Sequence, residues 1–595
     1  MAQRRKAGAA LDEDGYPARS TRFLNRVYAR ASTRSRAATG FTSQPEPRTI
    51  GSFARGRQLT AGNFLFAGYL IEGRGRTLWD LPSPDPTFEE EQHGFAWLDD
   101  LAAVGDAAAR QCAQDWTFGW ILRFGRGRGP GWTPDLTGRR LIRWINHALL
   151  LLNGQQRKTA DLYFRSLAHQ TAFLSRRWHA ARPGLARFEA LTGLIYAGLA
   201  LTGMERHVAP ASAALARECA ERIDAEGGIP TRNPEELLEV FTLLTWAALA
   251  LAEAGRMAPA AHLAAIERIA PTLRALRHAD GGLARFHGGG RGAEGRLDHA
   301  LANSGVRASA PQGLAMGFAR LSCGRTTTII DAATPPSGRA SFNAHASTLA
   351  FEMTSGRRPV IVSCGSGAPF GPEWRRAGRA TASHSVLAIE GYSSSRLGKP
   401  GFSSPRGMLT DLAEVVHARM EAAPEGISLL AGHRGYSRTH GLTHMRGLSL
   451  ASDGRMLLGE DTLGALTEEE RRRFEDVMRL TRDDGVRYAL HFHLHPDVDA
   501  ALDLGGTAVS LALKSGEIWV FRHDGHADLR IEPSVYLEKG RLKPRTSRQI
   551  VLAASVTDYA SQISWTLAKA QDTPLAIRDL DRDEPLEEGS AADPQ

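Results

Sequence analysis

Side chains suited to chemistry concentrate between Asn343 and Arg396 of this 595-residue chain. His345 and His384 lie there among short runs in which apolar residues alternate with small or polar ones, and glycine, proline and serine separate the runs. This period of two predicts strands joined by turns. A sheet could therefore bring the two imidazoles together, and imidazole is the side chain best suited to proton transfer near neutral pH.

A helical part precedes this stretch. From about residue 96 to 320, after an irregular lead-in, apolar residues recur at spacings of three and four, as they do on the buried face of a helix. Asn233 is typical of an N-cap, with Pro234 at the first helical position and Glu236 at the capping-box position, and Gly255 is the expected stop. Successive helices joined by short turns predict antiparallel helix hairpins.

A strand-rich part follows a crossover expected at residues 326–336 and continues to about residue 567. The strand predicted over 486–494 has one apolar face and one face that carries His491, His493 and His495. These histidines could chelate a metal, but a histidine-rich face open to solvent or substrate is favoured. Many short strands in one block predict an antiparallel β-sandwich.

Composition restricts the classes of protein that fit. The length implies two or more domains, and the four widely separated cysteines indicate reduced thiols. The net charge of +8 favours an anionic partner. Because no nucleic-acid motif accompanies the charge, we expect an acidic polysaccharide and no nucleic acid. No apolar run reaches the roughly 20 residues of a membrane helix and no secretory signal is recognisable. We therefore expect a cytoplasmic location, with a periplasmic or envelope-associated one as the alternative.

The order of motifs in this stretch resembles the carboxy-terminal domain of heparinase II/III-like proteins. The motifs are residues 343–353, residues 360–365, Arg379 and residues 383–386. This resemblance implies an N-terminal incomplete α/α toroid followed by a C-terminal antiparallel β-sandwich, which makes the chain an α+β multidomain protein. We expect a basic flexible segment over 1–50, the toroid with its lead-in over 51–320, the sandwich over 321–570 and an acidic tail over 571–595.

The resemblance also implies a reaction, β-elimination on a uronate-containing polysaccharide such as a glycosaminoglycan or alginate. Elimination needs a group that neutralises the uronate carboxylate, a base and an acid. In the family an Asn-His pair, a tyrosine and a histidine have these roles. Here residues 183–187 lack the pair, Glu235 and Glu236 stand near the tyrosine position, and Asn343 replaces the histidine. Asn343 and Arg379 remain as catalytic candidates for binding the carboxylate, and proton transfer is unassigned.

Other side chains are candidates for substrate contact or proton donation. Arg232, Arg375 and Arg376 would suit a carboxylate or sulfate, because a guanidinium fork pairs with such groups. Tyr196 and Tyr436 are weaker candidates for a proton donor.

A structural zinc is a further implication of the resemblance. His345 and His384 match the family's histidine ligands, and neutral imidazole suits zinc. Ser363 stands where an acidic ligand is expected and is a poor ligand. Cys364 is a better donor, but adjacent strand residues face opposite sides, so a bulge would be needed to turn it inward. The alternative is two sheet histidines with ordinary hydrogen bonds.

Three functions follow from these observations. The first is a heparinase II/III-like polysaccharide lyase. The second is a non-catalytic protein that binds an acidic glycan, or takes part in processing an envelope polymer, and retains the lyase fold. The third and weaker one is a glycoside hydrolase, in which Glu235 or Glu236 and another carboxylate form an acid/base pair.

Overall fold

A computed structural model of the chain describes residues 19–43, 46–308, 311, 313–398, 407–481 and 484–570. Residues 1–18 of the expected basic segment and the whole acidic tail 571–595 lie outside the described residues. In the described part, no helix combines the length and the apolar character that crossing a membrane requires.

Helices dominate the first half of the chain, as the periodicity predicted. A small hairpin of β1 (Asn63–Phe66) and β2 (Tyr69–Glu72) interrupts them near the start. The helices are α1 (Arg19–Ser32), α2 (Phe53–Thr60), α3 (Pro86–Gly94), α4 (Trp97–Val104), α5 (Ala107–Phe124), α6 (Pro134–Asn146), α7 (Ala148–Leu152), α8 (Arg157–Arg177), α9 (Leu185–Ala200), α10 (Val208–Arg222), α11 (Pro234–Glu253), α12 (Ala260–Ala275) and α13 (Arg296–Ser304).

The amino end of α11 forms as its sequence predicted. Asn233 is the N-cap, and its side-chain oxygen accepts hydrogen bonds from the backbone N–H groups of Glu235 and Glu236 at 3.0 and 3.2 Å. Pro234 occupies the first turn, where its missing N–H costs nothing. This cap fixes the place from which the two glutamates project.

Three helix amino ends lie near one another in the toroid. α6 and α9 approach closely where Gly138 faces Gly193, since a Cβ on Gly193 would lie 2.5 Å from the Gly138 Cα. Gly184, just before α9, lies so near α11 that a Cβ there would be 3.9 Å from Glu236 Oε1. Side chains from the first turns of α6, α9 and α11 therefore share one end of the toroid.

The second half is a sandwich of two eight-stranded antiparallel sheets, accompanied by a separate two-stranded sheet. Its strands are β3 (Phe318–Cys323), β4 (Thr326–Asp331), β5 (Phe351–Ser355), β6 (Arg358–Val362), β7 (Leu387–Ile389), β8 (Arg396–Leu397), β9 (Leu409–Asp411), β10 (Val415–Ala423), β11 (Gly426–Tyr436), β12 (Leu442–Ala451), β13 (Met456–Gly464), β14 (Val486–Leu494), β15 (Val498–Asp503), β16 (Ala508–Leu513), β17 (Ile518–His523), β18 (Asp528–Tyr536), β19 (Arg545–Val556) and β20 (Ala560–Lys569). The helices α14 (Pro372–Ala377), α15 (Ser437–His440) and α16 (Glu468–Leu480) lie between strands.

The strand orders place β5, β6 and β7, from the stretch between Asn343 and Arg396, in the sheet that meets the toroid. One sheet has the order β10-β11-β12-β13-β20-β17-β16-β15, and the other has β18-β19-β14-β6-β5-β4-β3 with β7 paired to β14. Residues 326–331, expected in the crossover, instead form β4, which pairs with β3 and β5. The prediction was wrong there because the β-branched run is a buried inner strand, not a linker.

Aromatic rings fill the space between the two sheets. Trp565 of β20 stacks on Phe351 of β5, with ring centroids 5.8 Å apart and planes at 9°. Phe492 of β14 packs edge-on against the same indole at 4.8 Å. All three are buried, so the apolar faces predicted from the period of two do meet in one core.

Candidate functional site

The toroid and the sandwich meet at a junction, and the accessible surface around Asn343 at this junction is here called the interdomain cleft. On the toroid side the β1–β2 turn at Gly68 touches Pro369, and Gly288 packs on Asn343 so closely that a Cβ would lie 3.0 Å from the asparagine Cβ. Between these contacts side chains of both parts keep accessible surface, including exposed Asn343 and Trp374 from the sandwich.

Asn343 and Arg375 form one unit on the sandwich wall of the cleft. Asn343 ends a short 3-10 helix, Gly338–Asn343, and its Oδ1 accepts a hydrogen bond from Arg375 Nη2 at 3.2 Å. The same guanidinium donates to the Phe342 carbonyl at 2.7 Å and lies 4.6 Å from the Phe342 ring centroid. An amide and a guanidinium are thus held side by side at an exposed position, as recognition of a carboxylate requires.

Arg376 and Trp374 flank this unit on α14. Arg376 is exposed, and the Trp374 ring keeps 37% of its surface accessible. An exposed indole beside cationic side chains offers an apolar plate against which a sugar ring can pack.

Arg379 lies beneath the cleft and supports it. The side chain is buried and donates to the carbonyls of Ala344 at 2.7 Å and Ser341 at 2.9 Å. Burial, together with the nearby charge of Arg375, lowers the pKa of Arg379 to about 9. Its hydrogen bonds fix the turn that presents Asn343, so it positions that residue and does not face the cleft.

Arg232 is likewise buried, and it ties the toroid to the sandwich. It donates to the carbonyls of Met316, Gly317 and Ala333 at 2.9–3.0 Å, and pairs with the buried Asp331 of β4. The structure therefore places Arg232 in the junction beneath the cleft. Of the predicted substrate-binding arginines, Arg375 and Arg376 are the two at accessible positions.

Glu235 of the toroid is bound to the sandwich at one end of the cleft. Its carboxylate accepts a hydrogen bond from the Gly290 N–H at 2.8 Å and pairs with Lys539 of the sandwich. Burial alone would raise the pKa of Glu235, but the Lys539 ammonium and the Gly290 N–H lower it overall. Burial raises the pKa of the neighbouring Glu236.

The toroid wall of the cleft carries a buried acid that the sequence did not single out. Glu189 of α9 is 8% exposed, and its Oε1 accepts a hydrogen bond from Arg139 Nε at 2.6 Å. Burial raises the pKa of Glu189, and Arg139 offsets this only in part. Asp135 and Glu239 lie near enough to add to the rise. One sequence signal was available, a single acidic residue inside the apolar run of α9.

The three positions that the family resemblance assigns to catalysis have other roles here. Arg187, at the expected Asn-His pair, donates to Glu218 Oε2 at 2.9 Å. Glu235 is bound to Lys539, and Asn343 cannot exchange a proton near neutral pH. None of these side chains is arranged as a base or an acid toward the cleft.

The two tyrosines proposed as proton donors lie elsewhere. Tyr196 is buried within the toroid, and burial raises its pKa. Tyr436 is buried in the sandwich, where its hydroxyl donates to the Leu387 carbonyl at 3.3 Å and burial again raises the pKa.

His345 and His384 are brought together, as predicted, but neither lies on a strand: each follows a short 3-10 helix, Gly338–Asn343 and Thr381–Ser383. Their ring centroids are 5.1 Å apart, both are buried, and burial lowers both pKa values, that of His384 to about 3. Ser363 Oγ lies 3.1 Å from His384 Nδ1. Cys364 faces the other way, as the strand alternation predicts, and its Sγ lies 3.6 Å from His493 Nδ1.

The histidine pair does not make a structural zinc site by itself. Such a site needs four protein ligands as a rule, and the pair supplies two. Across the described residues no three His, Cys, Asp or Glu side chains are grouped to hold a metal ion. His345 Nδ1 and His384 Nε2 nevertheless have no hydrogen-bond partner within the described part of the chain.

The histidine-rich face of β14 is not an open surface. His493 and His495 are buried, and His493 Nε2 donates to the Ala382 carbonyl at 2.9 Å while Nδ1 faces Ser534 Oγ at 2.8 Å. The preference for a solvent or substrate face was wrong, because the segment at Ala382 packs on His493, and Ser534 of β18, an edge strand of the same sheet, also contacts it.

Comparison with known proteins agrees with this architecture. The family model for the heparinase II/III-like carboxy-terminal domain matches residues 306–566, and the chain belongs to the heparinase II/III-like family. Its similarity to one curated relative covers nearly the whole chain: "FtsZ-localized protein C" of Caulobacter vibrioides is 32% identical over 549 residues, which are 89% of this chain and 91% of the relative.

Solved structures of polysaccharide lyases share the fold. A heparinase III structure superposes with a TM-score of 0.62 at 12% identity, covering 92% of this chain and 89% of that one. A heparan sulfate lyase HepC mutant from Pedobacter heparinus gives 0.56 at 14% identity, covering 93% and 89%. These likenesses establish the α/α toroid with a β-sandwich, and they extend over both parts of the chain.

Proposed function

We propose that this protein binds an acidic glycan in the interdomain cleft and does not cleave it by β-elimination. The observation that carries the proposal is Asn343, which stands at the family's histidine position and is held on Arg375. An amide and a guanidinium can bind a uronate carboxylate, whereas neither can take up or release a proton near neutral pH.

The opposite wall supports the same conclusion. β-Elimination needs a base and an acid next to the bound carboxylate. Glu235, at the tyrosine position, is neutralised by Lys539 and the Gly290 N–H. Arg187, at the position of the Asn-His pair, is engaged with Glu218.

The relative's name suggests where the protein works. Because "FtsZ-localized protein C" is similar over nearly the whole chain, we propose that this protein also localises with FtsZ, in the cytoplasm, and acts as a partner in processing an envelope polymer. A fluorescent fusion imaged together with labelled FtsZ tests this. Diffuse fluorescence in cells that have assembled FtsZ would contradict it.

The first experiment separates binding from cleavage. Purified protein is incubated with hyaluronan, heparin-type and alginate oligosaccharides while ultraviolet absorbance is followed for the unsaturated uronate, and calorimetry measures binding at two salt concentrations. We expect no absorbance rise, and binding that weakens with salt. Arg375→Ala should reduce affinity about tenfold, whereas Arg419→Ala, at an exposed β10 position, should not.

A polysaccharide lyase is the second candidate, favoured by the fold shared with heparinase III. An absorbance rise that Arg375→Ala abolishes in a folded protein would replace our proposal with this one. Reducing ends without the chromophore would indicate a hydrolase.

A further inference from the structure

The toroid wall of the interdomain cleft is rich in carboxylates, which is unexpected for a polyanion site. Arg139 and Arg182 act on several of them, Arg55 and Lys539 act on Glu91, and Arg296 pairs with Glu239. The acidic side chains are Glu90, Glu91, Asp135, Glu189, Glu236 and Glu239.

These side chains lie within electrostatic reach of one another and come from several elements. Glu91 of α3 lies within the electrostatic reach of Lys539 on the sandwich side. Glu90, on the same helix, interacts with Asp135 and Arg139 of α6. Asp135 in turn acts on Glu189 of α9, so α3, α6 and α9 contribute to one acidic wall.

Glu189 provides this wall with a hydrogen-bond acceptor that has no donor. Its Oε1 is engaged by Arg139, while its Oε2 is buried and has no hydrogen-bond partner among the described residues. A buried carboxylate oxygen without a donor is costly, so native proteins supply one from the chain, from water or from a ligand.

We propose that the toroid wall binds an ammonium group of the glycan, with Glu189 Oε2 as its principal acceptor. This inference deepens the proposed function and rests on it: Arg375 and Asn343 bind a carboxylate on one wall while Glu189 binds an amine on the other. The ligand class is therefore a polysaccharide that carries both carboxylates and free amines.

Charge and geometry both favour an amine over another acidic group. A primary ammonium offers three donors, which suits a wall with several carboxylate oxygens. A second uronate or a sulfate would instead face the carboxylates of Glu90, Asp135 and Glu189, whose repulsion Arg139 and Arg182 offset in part. The raised pKa of Glu189 is consistent with a carboxylate whose charge one arginine compensates incompletely.

Three probes of equal length distinguish the two walls. Hyaluronan oligosaccharides carry carboxylates, glucosamine oligosaccharides carry amines, and N-deacetylated hyaluronan oligosaccharides carry both. With the full-length protein, calorimetry should show the deacetylated probe binding about tenfold more tightly than hyaluronan, as expected for one added charge-assisted hydrogen bond.

Two variants assign that preference to the acidic wall. Glu189→Gln should remove the tenfold preference of the deacetylated probe over hyaluronan. Because loss of the Arg139 pair could unfold the protein, Glu90→Gln provides a second test at a half-exposed position and should reduce the preference in the same direction. Glu267→Gln, at an exposed position of α12, is the matched control and should retain it.

The outcomes separate the two proposals. Equal affinity for hyaluronan and its deacetylated form overturns the amine site and leaves carboxylate binding intact. Binding of glucosamine oligosaccharides without hyaluronan supports the amine site and overturns the acidic-glycan proposal. Binding of none of the three overturns both.

Discussion

At Asn343 the amide acts together with Arg375, because each side chain is held partly by the other. We therefore expect their contributions to glycan affinity to be non-additive. Asn343→Ala and Arg375→Ala should each weaken binding of an acidic oligosaccharide, and the double variant should lose little more than Arg375→Ala alone. The pair Asn343→Ala with Arg376→Ala is the control, and its effects should add. Additive effects in the first cycle would show that the two residues bind independently.

At His345 and His384 the missing element of a zinc site is an acidic ligand. Ser363 lies 3.1 Å from His384 Nδ1, which places position 363 beside the pair. We expect the purified protein to contain no stoichiometric zinc, and Ser363→Asp to acquire it with a water as the fourth ligand, because a carboxylate is a zinc ligand and serine is a poor one. Elemental analysis after dialysis measures both, with Ser363→Asn as the uncharged control. Stoichiometric zinc in the unchanged protein would show that further ligands complete the site.

Asp461 makes the stability of the sandwich depend on pH. Burial would raise its pKa, but Arg446 Nε at 2.7 Å and His444 Nε2 at 2.8 Å lower it well below the usual range. The stability gained is therefore present above the ordinary pKa of 3.8 and is lost as the pH falls below it.

We expect Asp461→Asn to lower the free energy of unfolding by about 3–5 kcal/mol at pH 7, because it leaves Arg446 buried and uncompensated. The difference in unfolding free energy between the variant and the unchanged protein should become smaller below pH 3.8, where Asp461 becomes protonated in the unfolded chain. Urea denaturation at pH 7 and pH 3 measures this. Asp528→Asn, which breaks the exposed pair with Arg530, should change stability by less than about 0.5 kcal/mol.

The cap of α11 is an element whose local sequence and tertiary role coincide. Asn233 was predictable because an asparagine followed by proline and glutamates satisfies the first free N–H groups of a helix. Asn233→Ala should cost about 0.5–2 kcal/mol in unfolding free energy, measured by urea denaturation. Thr133 is the matched control, since it precedes α6 without a side-chain cap hydrogen bond, and Thr133→Ala should cost less. Equal losses would show that the cap does not stabilise α11.

Elements were predictable where a residue's environment follows from its neighbours in sequence. The alternation over 486–494 gave β14, and the apolar face did turn into the core. β4 was missed because a run buried on both sides, Thr326–Asp331, lacks alternation. The fate of the histidine face could not be read locally, since Ala382 and Ser534, which cover His493, lie more than forty residues away in either direction.

At the scale of the whole molecule, the cleft depends on contacts between distant segments. Asn343 was identified because it lies in the family stretch, and Arg375 because a guanidinium suits a carboxylate or sulfate. The pair of Glu235 with Lys539 joins residues separated by 304 positions, and nothing near either residue indicates the other. Glu189 and Arg139 meet only where α6 crosses α9. The grouping of carboxylates on the toroid wall could therefore not be predicted from the sequence.

Arg232 links the toroid to the sandwich through several hydrogen bonds and one ion pair. It has a backbone φ of 48°, is buried, and donates to four carbonyls of residues 316–334 as well as to Asp331. Arg232→Met keeps much of the volume but leaves Asp331 with the neighbouring His287 and Ser347 as its remaining polar partners. Removing one member of a buried ion pair costs about 3–5 kcal/mol.

We expect this lost free energy to weaken the contact between toroid and sandwich. Calorimetry of Arg232→Met should therefore resolve two unfolding transitions, whereas in the unchanged protein the two halves should unfold more cooperatively. Glycan affinity should fall at the same time, because the cleft walls come from both halves. Arg419→Met, on the exposed strand β10, should alter neither. A single transition with unchanged affinity would mean that Lys539, Gly288 and the other junction contacts hold the walls together without Arg232.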